Sequence, residues 1–362
     1  MSPQQCMPYN RALLPSLIAK DIKESAVYVA NDKFFKDNQV NFIHQEAITR
    51  LSTKRHQIST ESKTHVLYDQ LLLTDVSTVR LPAIKGHHRK GVFDVLRLPS
   101  VKEIIKFIPF MDTAVIPVTS FIGFNTACAL SRLGKEVIIL TPPEGVLAEM
   151  FDDDTAALLK QIVESKNIRV ISDTLEEILG DEEVKAVKLK SGKVIAAEMV
   201  LFDEASPDVR PLAETEIVED NQVAVGEFFN TAVPDVFACD AALGAFDLLA
   251  EESRQQGVAA AANLLNVGSF NYQAPVLLRD FGVKVCDGFC GGHVRLLEGG
   301  REKMRFDGPS NIYKKVFLLN DALVGAVWFN ATSDRSKVLD ALIEKKVLAG
   351  MEEQFLQSDN PS

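Results

Sequence analysis

Cys286, Cys290 and His293 form a C-x3-C-x2-H pattern beside Gly288, Gly291 and Gly292. Two thiolates and an imidazole are donors that hold zinc or an iron-sulfur cluster, so these three are the candidate metal ligands. A closed zinc site needs a fourth donor, and none is evident nearby. Buried thiols in a glycine-rich turn are therefore the alternative. His87 and His88 stand with Arg89 and Lys90 between Gly86 and Gly91, which reads as a solvated loop. Asp152, Asp153 and Asp154 suit a helix start, where carboxylates meet the positive end of the helix dipole, better than a metal. Asp181-Glu182-Glu183 is a polar turn, and six scattered histidines offer no Ser-His-Asp or Cys-His arrangement.

The elements that would carry these groups alternate from Asp112 onward. Ala114 to Val118 reads as a strand, Gly123 to Leu133 as a helix closed by Gly134, and Glu136 to Leu140 as a second strand. A helix from Asp152 to about Lys166 and a strand over Ile168 to Ile171 follow. The β-α-β-α-β order predicts a parallel sheet with right-handed crossovers. Val184 to Lys190 and Lys193 to Val200 flank Ser191-Gly192 as a hairpin. Earlier in the chain, Arg11 to Lys20 reads as a helix fragment and Ser100 to Phe107 as a short helix. Val40 to Ile43, Gln57 to Ser59, Thr64 to Tyr68 and Leu71 to Leu73 read as extended. Later, Asp235 to Ala238 is a strand and Gln256 to Asn266 a small-residue helix. Lys314 to Leu319 and Ala322 to Trp328 form a hairpin around Asn320-Asp321, followed by a helix over Ser336 to Val347 and a frayed polar end.

The 362 residues correspond to two or three domains. With 46% hydrophobic and 25% charged residues, the chain is neither disordered nor a disulfide-dense scaffold. A net charge of −11 argues against nucleic acid or an anionic membrane as the main partner, because phosphate binding needs clustered cations. Five spread cysteines read as reduced thiols, and so as a cytoplasmic protein. The start, Met1 to Pro15, is broken by three prolines and lacks the apolar core of a signal peptide. Thr113 to Ser131 runs nineteen residues without a charge, yet it divides into a strand and a helix, which predicts a buried unit and not a membrane span. No repeat with a period of 20 to 50 residues is present.

Several segments, taken in order, resemble the FAD- and NAD(P)-dependent pyridine nucleotide-disulfide oxidoreductases, in the branch of rubredoxin reductase, NADH oxidase and the flavin part of nitrite reductase. Pro8-Tyr9-Asn10-Arg11 with Leu13-Leu14 is similar to the segment after that family's first strand-helix-strand unit. Tyr68 to Leu73 resembles the strand leading to its Ala-Thr-Gly turn, and Phe121-Ile122-Gly123 the end of its second dinucleotide turn. Pro234 to Ala238, followed by Cys239 and Asp240, resembles the strand and aspartate that face the flavin. Gln256-Gly257 and Tyr313-Lys314-Lys315 fit as well, so the resemblance runs from about Pro8 to about Lys346.

The resemblance implies two phosphate cradles, each needing glycines because backbone must approach a pyrophosphate at a helix N-terminus. The first would lie before Pro8 and is expected to be missing. The second, G-x-G-x-x-G, falls on Val118, Ser120 and Gly123, of which only the last is glycine. The acid expected to hold a ribose hydroxyl falls on Thr141. The family's flavin-facing lysine falls at Pro15-Ser16 and its carboxylate partner on Asn125. Losing both together avoids stranding one buried charge, at a cost of about 3–5 kcal/mol. The Ala-Thr-Gly turn reads Thr74-Asp75-Val76, Gly-x-x-Pro reads Glu204-Ala205-Ser206-Pro207, and Ala-x-Gly-Asp reads Ala238-Cys239-Asp240. Asp240 keeps a flavin role, a turn or cap aspartate being the alternative. Cys6 lies near a redox cysteine of some relatives, with a different spacing to Pro8-Tyr9.

The expected fold is α/β: a two-dinucleotide-binding-domain flavoprotein-like fold with its first βαβ unit missing, plus a small α+β C-terminal domain. The expected boundaries are 1–105 and 201–267 for the truncated FAD-type domain, 106–200 for the NAD-type domain, 268–350 for the C-terminal interface domain and 351–362 for a tail. The expected function is a degenerate flavoprotein reductase homologue, a non-catalytic subunit of a redox enzyme complex. The alternatives are an active FAD-dependent NAD(P)H oxidoreductase or electron-transfer subunit with altered cofactor binding, and a thiol or metal module at Cys286, Cys290 and His293. Asp240 and Gly123 are the candidate cofactor-binding residues, and no catalytic residue is assigned. No resident cofactor is expected, with FAD the exception to test. A redox-enzyme subunit or a second copy is the expected partner, without nucleic acid or membrane.

Overall fold

Runs rich in β-branched and apolar residues, with no polar alternation, make strands that are covered on both faces. Three such runs, Met199–Phe202, Thr113–Pro117 and Glu136–Thr141, form the middle of one parallel sheet whose edge strands are less covered, in the order Val92–Asp94, Met199–Phe202, Thr113–Pro117, Glu136–Thr141, Ile168–Ser172. The computed structural model describes residues 1–357 other than 5, 75, 76, 80, 144, 149 and 244–248.

The helix Phe121–Arg132 follows the sheet's third-ranked strand. Ser120 caps it by accepting the Gly123 N–H at 3.2 Å. Gly134, at φ +78°, ends it in the left-handed conformation that glycine adopts without strain. Nine of its twelve residues are buried, because the helix packs between the sheet and a second helix, Leu14–Ile18. That burial accounts for the long uncharged stretch, and no helix among the described residues is long and apolar enough to cross a membrane. Asp152 caps the next helix, Asp153–Glu164, as its acidic start suggests.

The structure departs from the sequence expectations in identifiable places. Residues 193–200 are not one strand: Val194–Ala196 closes an antiparallel hairpin on Ala186–Leu189, while Met199–Phe202 enters the parallel sheet. Leu175–Leu179, disguised by Glu176 and Glu177, supplies the hairpin's third strand. Val40 to Ile43 forms no strand. The small-residue helix begins earlier, at Ala250. The C-terminal segment is not wholly frayed, since Glu352–Leu356 is helical with Phe355 and Leu356 buried.

The chain divides into two compact units. One comprises 1–13, 23–80 and 205–275, the other 14–22, 81–204 and 276–362. Residues 81–105, expected with the first domain, lie in the second unit because Val92–Asp94 pairs with Met199–Phe202. The first unit holds an antiparallel sheet of Ile48–Ser52, Gln57–Thr60 and His65–Leu67, and a parallel pair of Leu71–Leu73 with Val236–Ala238. Leu51, Ile58, Leu73, Leu212, Ile217 and Val236 share its core, and Ala259 and Ala260 of helix Ala250–Leu265 pack near Phe237 and Cys239.

In the second unit, residues after 276 add a five-stranded antiparallel sheet, ordered Leu278–Phe281, Gly288–Gly292, Ala322–Phe329, Ile312–Leu319, Arg301–Asp307. Its hairpin turns at Asn320 and Asp321, both at positive φ, as the sequence indicates. Trp328 and Phe289 stack in its core beneath helix Arg335–Ile343. Lys314 and Lys315 are each 1% exposed. Lys314 is held by Asp334, whose carboxylate also accepts the Trp328 indole N–H at 3.1 Å. Lys315 reaches Asp152 at 3.0 Å and Glu302 at 2.9 Å, tying the start of the Asp153–Glu164 helix to this sheet. Burial pulls the Lys315 pKa down, but the bonds to Glu302 and Asp152 outweigh it and the pKa is raised.

Two predictions follow from these ties. Lys315→Met leaves Asp152 and Glu302 facing each other without a counter-charge, so stability should fall by about 2–4 kcal/mol in urea unfolding; an unchanged midpoint would dismiss the tie. Asp21 accepts Arg132 at 2.6 and 3.0 Å and Lys284 at 3.1 Å. The Arg132 hydrogen bond, against a smaller burial effect, lowers its pKa from 3.8 to about 2. A depressed carboxylate pKa stabilises above the unfolded value and is lost as pH falls toward the folded one. Asp21→Asn should therefore cost about 1–2 kcal/mol near neutrality, a deficit that shrinks to nothing between about pH 4 and pH 2. Acid unfolding curves of both proteins check the sign.

Candidate functional site

Parallel strands that end side by side bring their following turns together, and open α/β sheets bind ligands at this carboxyl edge. Here Met199–Phe202 pairs with Thr113–Pro117, so Asp203 and the turn Val118-Thr119-Ser120 meet. Asp203 is 4% exposed. Its carboxyl accepts the Thr119 N–H at 3.0 Å, the Thr119 hydroxyl at 2.8 Å, the Ser120 N–H at 2.8 Å and the Ser120 hydroxyl at 2.9 Å. The Ser120 hydroxyl in turn accepts from Gly123. The start of the Phe121–Arg132 helix is thus capped by Ser120, with Asp203 behind it. Burial raises the Asp203 pKa, and the donors on Thr119 and Ser120 pull against that rise.

Gly123 sits against this carboxyl. A Cβ there would lie 1.9 Å from Asp203 Oδ2 and 2.5 Å from its Cγ. The absence of a side chain at Gly123 is what lets the helix start close over Asp203. Val118, at the first glycine position of the expected cradle, is buried. Thr141 is buried too, and its hydroxyl donates to the Gly145 carbonyl. Asn125, in place of the expected flavin-side carboxylate, accepts the Gly282 N–H at 2.7 Å. One strand over, Asp94 plays a similar part. It is 1% exposed and accepts the Arg97 N–H at 2.9 Å together with the Arg97 guanidinium.

Sequence reasoning missed Asp203. The signal was an acidic residue directly after a fully apolar strand, which matters once that strand is known to neighbour the Val118–Ser120 turn. Asp240, which was singled out, lies in the first unit at φ +59°. Its N–H donates to Gln256 at 2.9 Å and its carboxylate accepts the Ser253 hydroxyl at 3.1 Å, both from helix Ala250–Leu265. Cys239 beside it is buried, and burial with the Asp240 charge raises its thiol pKa to about 12. Asp75 and Val76 of the altered Ala-Thr-Gly turn lie outside the described residues.

Cys286, Cys290 and His293 are not brought together as metal ligands. Cys290 is on the strand Gly288–Gly292, Cys286 precedes it in the turn, and His293 is exposed beyond its end. Extended chain advances about 3.3 Å per residue, which spreads the three apart. Among the described residues no three His, Cys, Asp or Glu side chains converge on a metal position. Cys286 instead meets Cys128 of the Phe121–Arg132 helix, and both are fully buried. Burial raises the Cys128 pKa well above that of a free thiol, and the neighbouring Cys286 adds to the rise, so Cys128 is an inert core thiol. The His87 ring nitrogen Nδ1 is 2.9 Å from the Ile84 carbonyl, and His88 is exposed, as a loop requires.

A family model described as pyridine nucleotide-disulphide oxidoreductase matches residues 3–262. The chain is 21% identical over 357 residues to the assimilatory nitrate reductase electron transfer subunit of Bacillus subtilis (strain 168), covering 97% of this chain and 46% of that protein. It is 24% identical over 241 residues to rubredoxin-NAD(+) reductase of Ectopseudomonas oleovorans, covering 66% and 62%. It is 21% identical over 362 residues to the NADH-dependent phenylglyoxylate dehydrogenase subunit epsilon of Aromatoleum evansii, covering 97% and 86%. The chain spans less than half the length of the Bacillus electron transfer subunit and of a Bacillus nitrite reductase, at 46% and 42%. Among solved structures, the putidaredoxin reductase–putidaredoxin complex matches with a TM-score of 0.84 at 14% identity, covering 99% of this chain and 88% of that one. The ferredoxin reductase of the CYP199A2 system from Rhodopseudomonas palustris matches at 0.81 and 16%, covering 93% and 86%. These likenesses establish the mixed α/β flavoprotein-reductase fold, and the family match over most of the chain agrees with the resemblance read from its segments. The chain belongs to the pyridine nucleotide-disulphide oxidoreductase family.

Proposed function

We propose that this chain is a non-catalytic member of its family that serves as a subunit of a redox enzyme complex. The observation that carries the reading is the start of the Phe121–Arg132 helix, where the backbone N–H groups that could meet a pyrophosphate already donate to the chain's own Asp203. NAD(P) does not fit this turn in the family's manner, with Val118 buried where a glycine is needed and no G-x-G anywhere in the 362 residues. FAD fares no better at its expected aspartate, because the Asp240 N–H and carboxylate are both engaged by helix Ala250–Leu265. The likeness to two relatives named as an electron transfer subunit and a dehydrogenase subunit supports a protein partner from a redox enzyme. A second copy of the chain is the other partner to test.

The visible spectrum of natively purified protein, read beside a gel of what co-purifies, tests this. The expected result is a colourless protein with no NADH or NADPH oxidation in the presence of an artificial electron acceptor, arriving with a stoichiometric redox-enzyme subunit. A stoichiometric flavin that NADH or NADPH bleaches would replace the proposal with an active reductase.

A further inference from the structure

In an open α/β sheet the turn between a strand and its following helix is an anion site, because unpaired N–H groups and the helix dipole face the same point. Natural ligands there are phosphates brought by a cofactor. In this chain that point is filled from within. Five hydrogen-bond contacts from Thr119 and Ser120 converge on one carboxyl group that reaches them from the neighbouring strand, 83 and 84 residues along the chain. The glycine retained from the expected fingerprint, Gly123, admits this group and nothing larger than a hydrogen atom beside it. Asp94 accepts the Arg97 N–H just before the helix Leu98–Phe107 from its own adjacent loop, a local contact of three residues. Asp203 makes the corresponding contacts with Thr119 and Ser120 from the neighbouring strand's end.

We infer that Asp203 is a tethered substitute for a phosphate, so that a single side chain occupies the anion position of the second dinucleotide fold. The inference deepens the proposal of a non-catalytic subunit and rests on its premise that this turn does not hold NAD(P). The ligand class that fits beneath Asp203 is a small oxyanion of the phosphate type. A complete dinucleotide is excluded by a second feature, the buried Val118 side chain, which Asp203 does not control.

The test removes the tether and supplies the anion from solution. Wild type, Asp203→Ala and Asp203→Asn are followed by thermal unfolding in inorganic pyrophosphate, against sodium chloride at matched ionic strength. In chloride, Asp203→Ala should unfold below the wild type. Millimolar pyrophosphate should then raise its midpoint by about 3 °C or more, by binding the native state alone. Wild type and Asp203→Asn, whose position stays filled, should not respond, and NADH should give Asp203→Ala no gain beyond that of pyrophosphate. If Asp203→Ala fails to fold in chloride, refolding yield is the readout, and recovery in pyrophosphate alone supports the inference. No pyrophosphate-specific rise or recovery in Asp203→Ala, or an equal rise in the wild type, overturns it. A flavin-bearing wild type would sink the non-catalytic reading while leaving this rescue experiment to give its own answer.

Discussion

The pairing of Met199–Phe202 with Thr113–Pro117 is the contact on which the second unit's architecture turns. It places a late strand between two early ones, with Val92–Asp94 on its other side. It fills the sheet with Val200 and Leu201, both fully buried. It also delivers Asp203, itself 4% exposed, to the N–H groups of Thr119 and Ser120 just before the helix. A buried polar group left unpaired costs about 1–3 kcal/mol, and the donors on Thr119 and Ser120 spare Asp203 that cost. Asp203, Ser120 and Gly123 form a connected solution to that problem, in which each residue's identity depends on the other two.

The same logic describes how the rest of the unit is joined. Asn125 binds the backbone of Gly282, and Tyr313 meets Thr155 at 3.1 Å between their hydroxyls. Phe121, Phe151 and Phe281 pack as an aromatic cluster with ring centroids 5.4 to 5.8 Å apart. In this chain they serve contacts within the protein.

Much of the frame was legible because it rests on strong local signals. Thr113–Pro117, Glu136–Thr141 and Ile168–Ser172 are short apolar runs separated by helical stretches, and Asn320-Asp321 is a turn pair that tolerates positive φ. What was hidden depends on partners distant in sequence. Lys193 to Val200 reads as one strand until Met199–Phe202 is seen to leave for another sheet. Arg301–Asp307 is exposed along its whole length as an edge strand, and Met304 and Phe306 among five charged residues are too weak an apolar signal to read. The candidate metal ligands failed for a related reason: spacing along a strand and convergence in space are different things, and Gly288–Gly292 is extended. Asp203 could not be ranked above its neighbour Glu204 without the strand order.

The position of Met199–Phe202 also bears on how the chain assembles. Its two neighbours in the sheet, Val92–Asp94 and Thr113–Pro117, are separated from it by the helices, strands and hairpin between 98 and 196. The slot between Val92–Asp94 and Thr113–Pro117 therefore stays open until more than half of the chain has emerged, and its closure depends on contacts of high sequence separation, which form late. Until then the sheet is two fragments, and the strand that joins them is the one that carries Asp203 to Thr119 and Ser120, so sheet closure and the ordering of its carboxyl edge depend on the same contact.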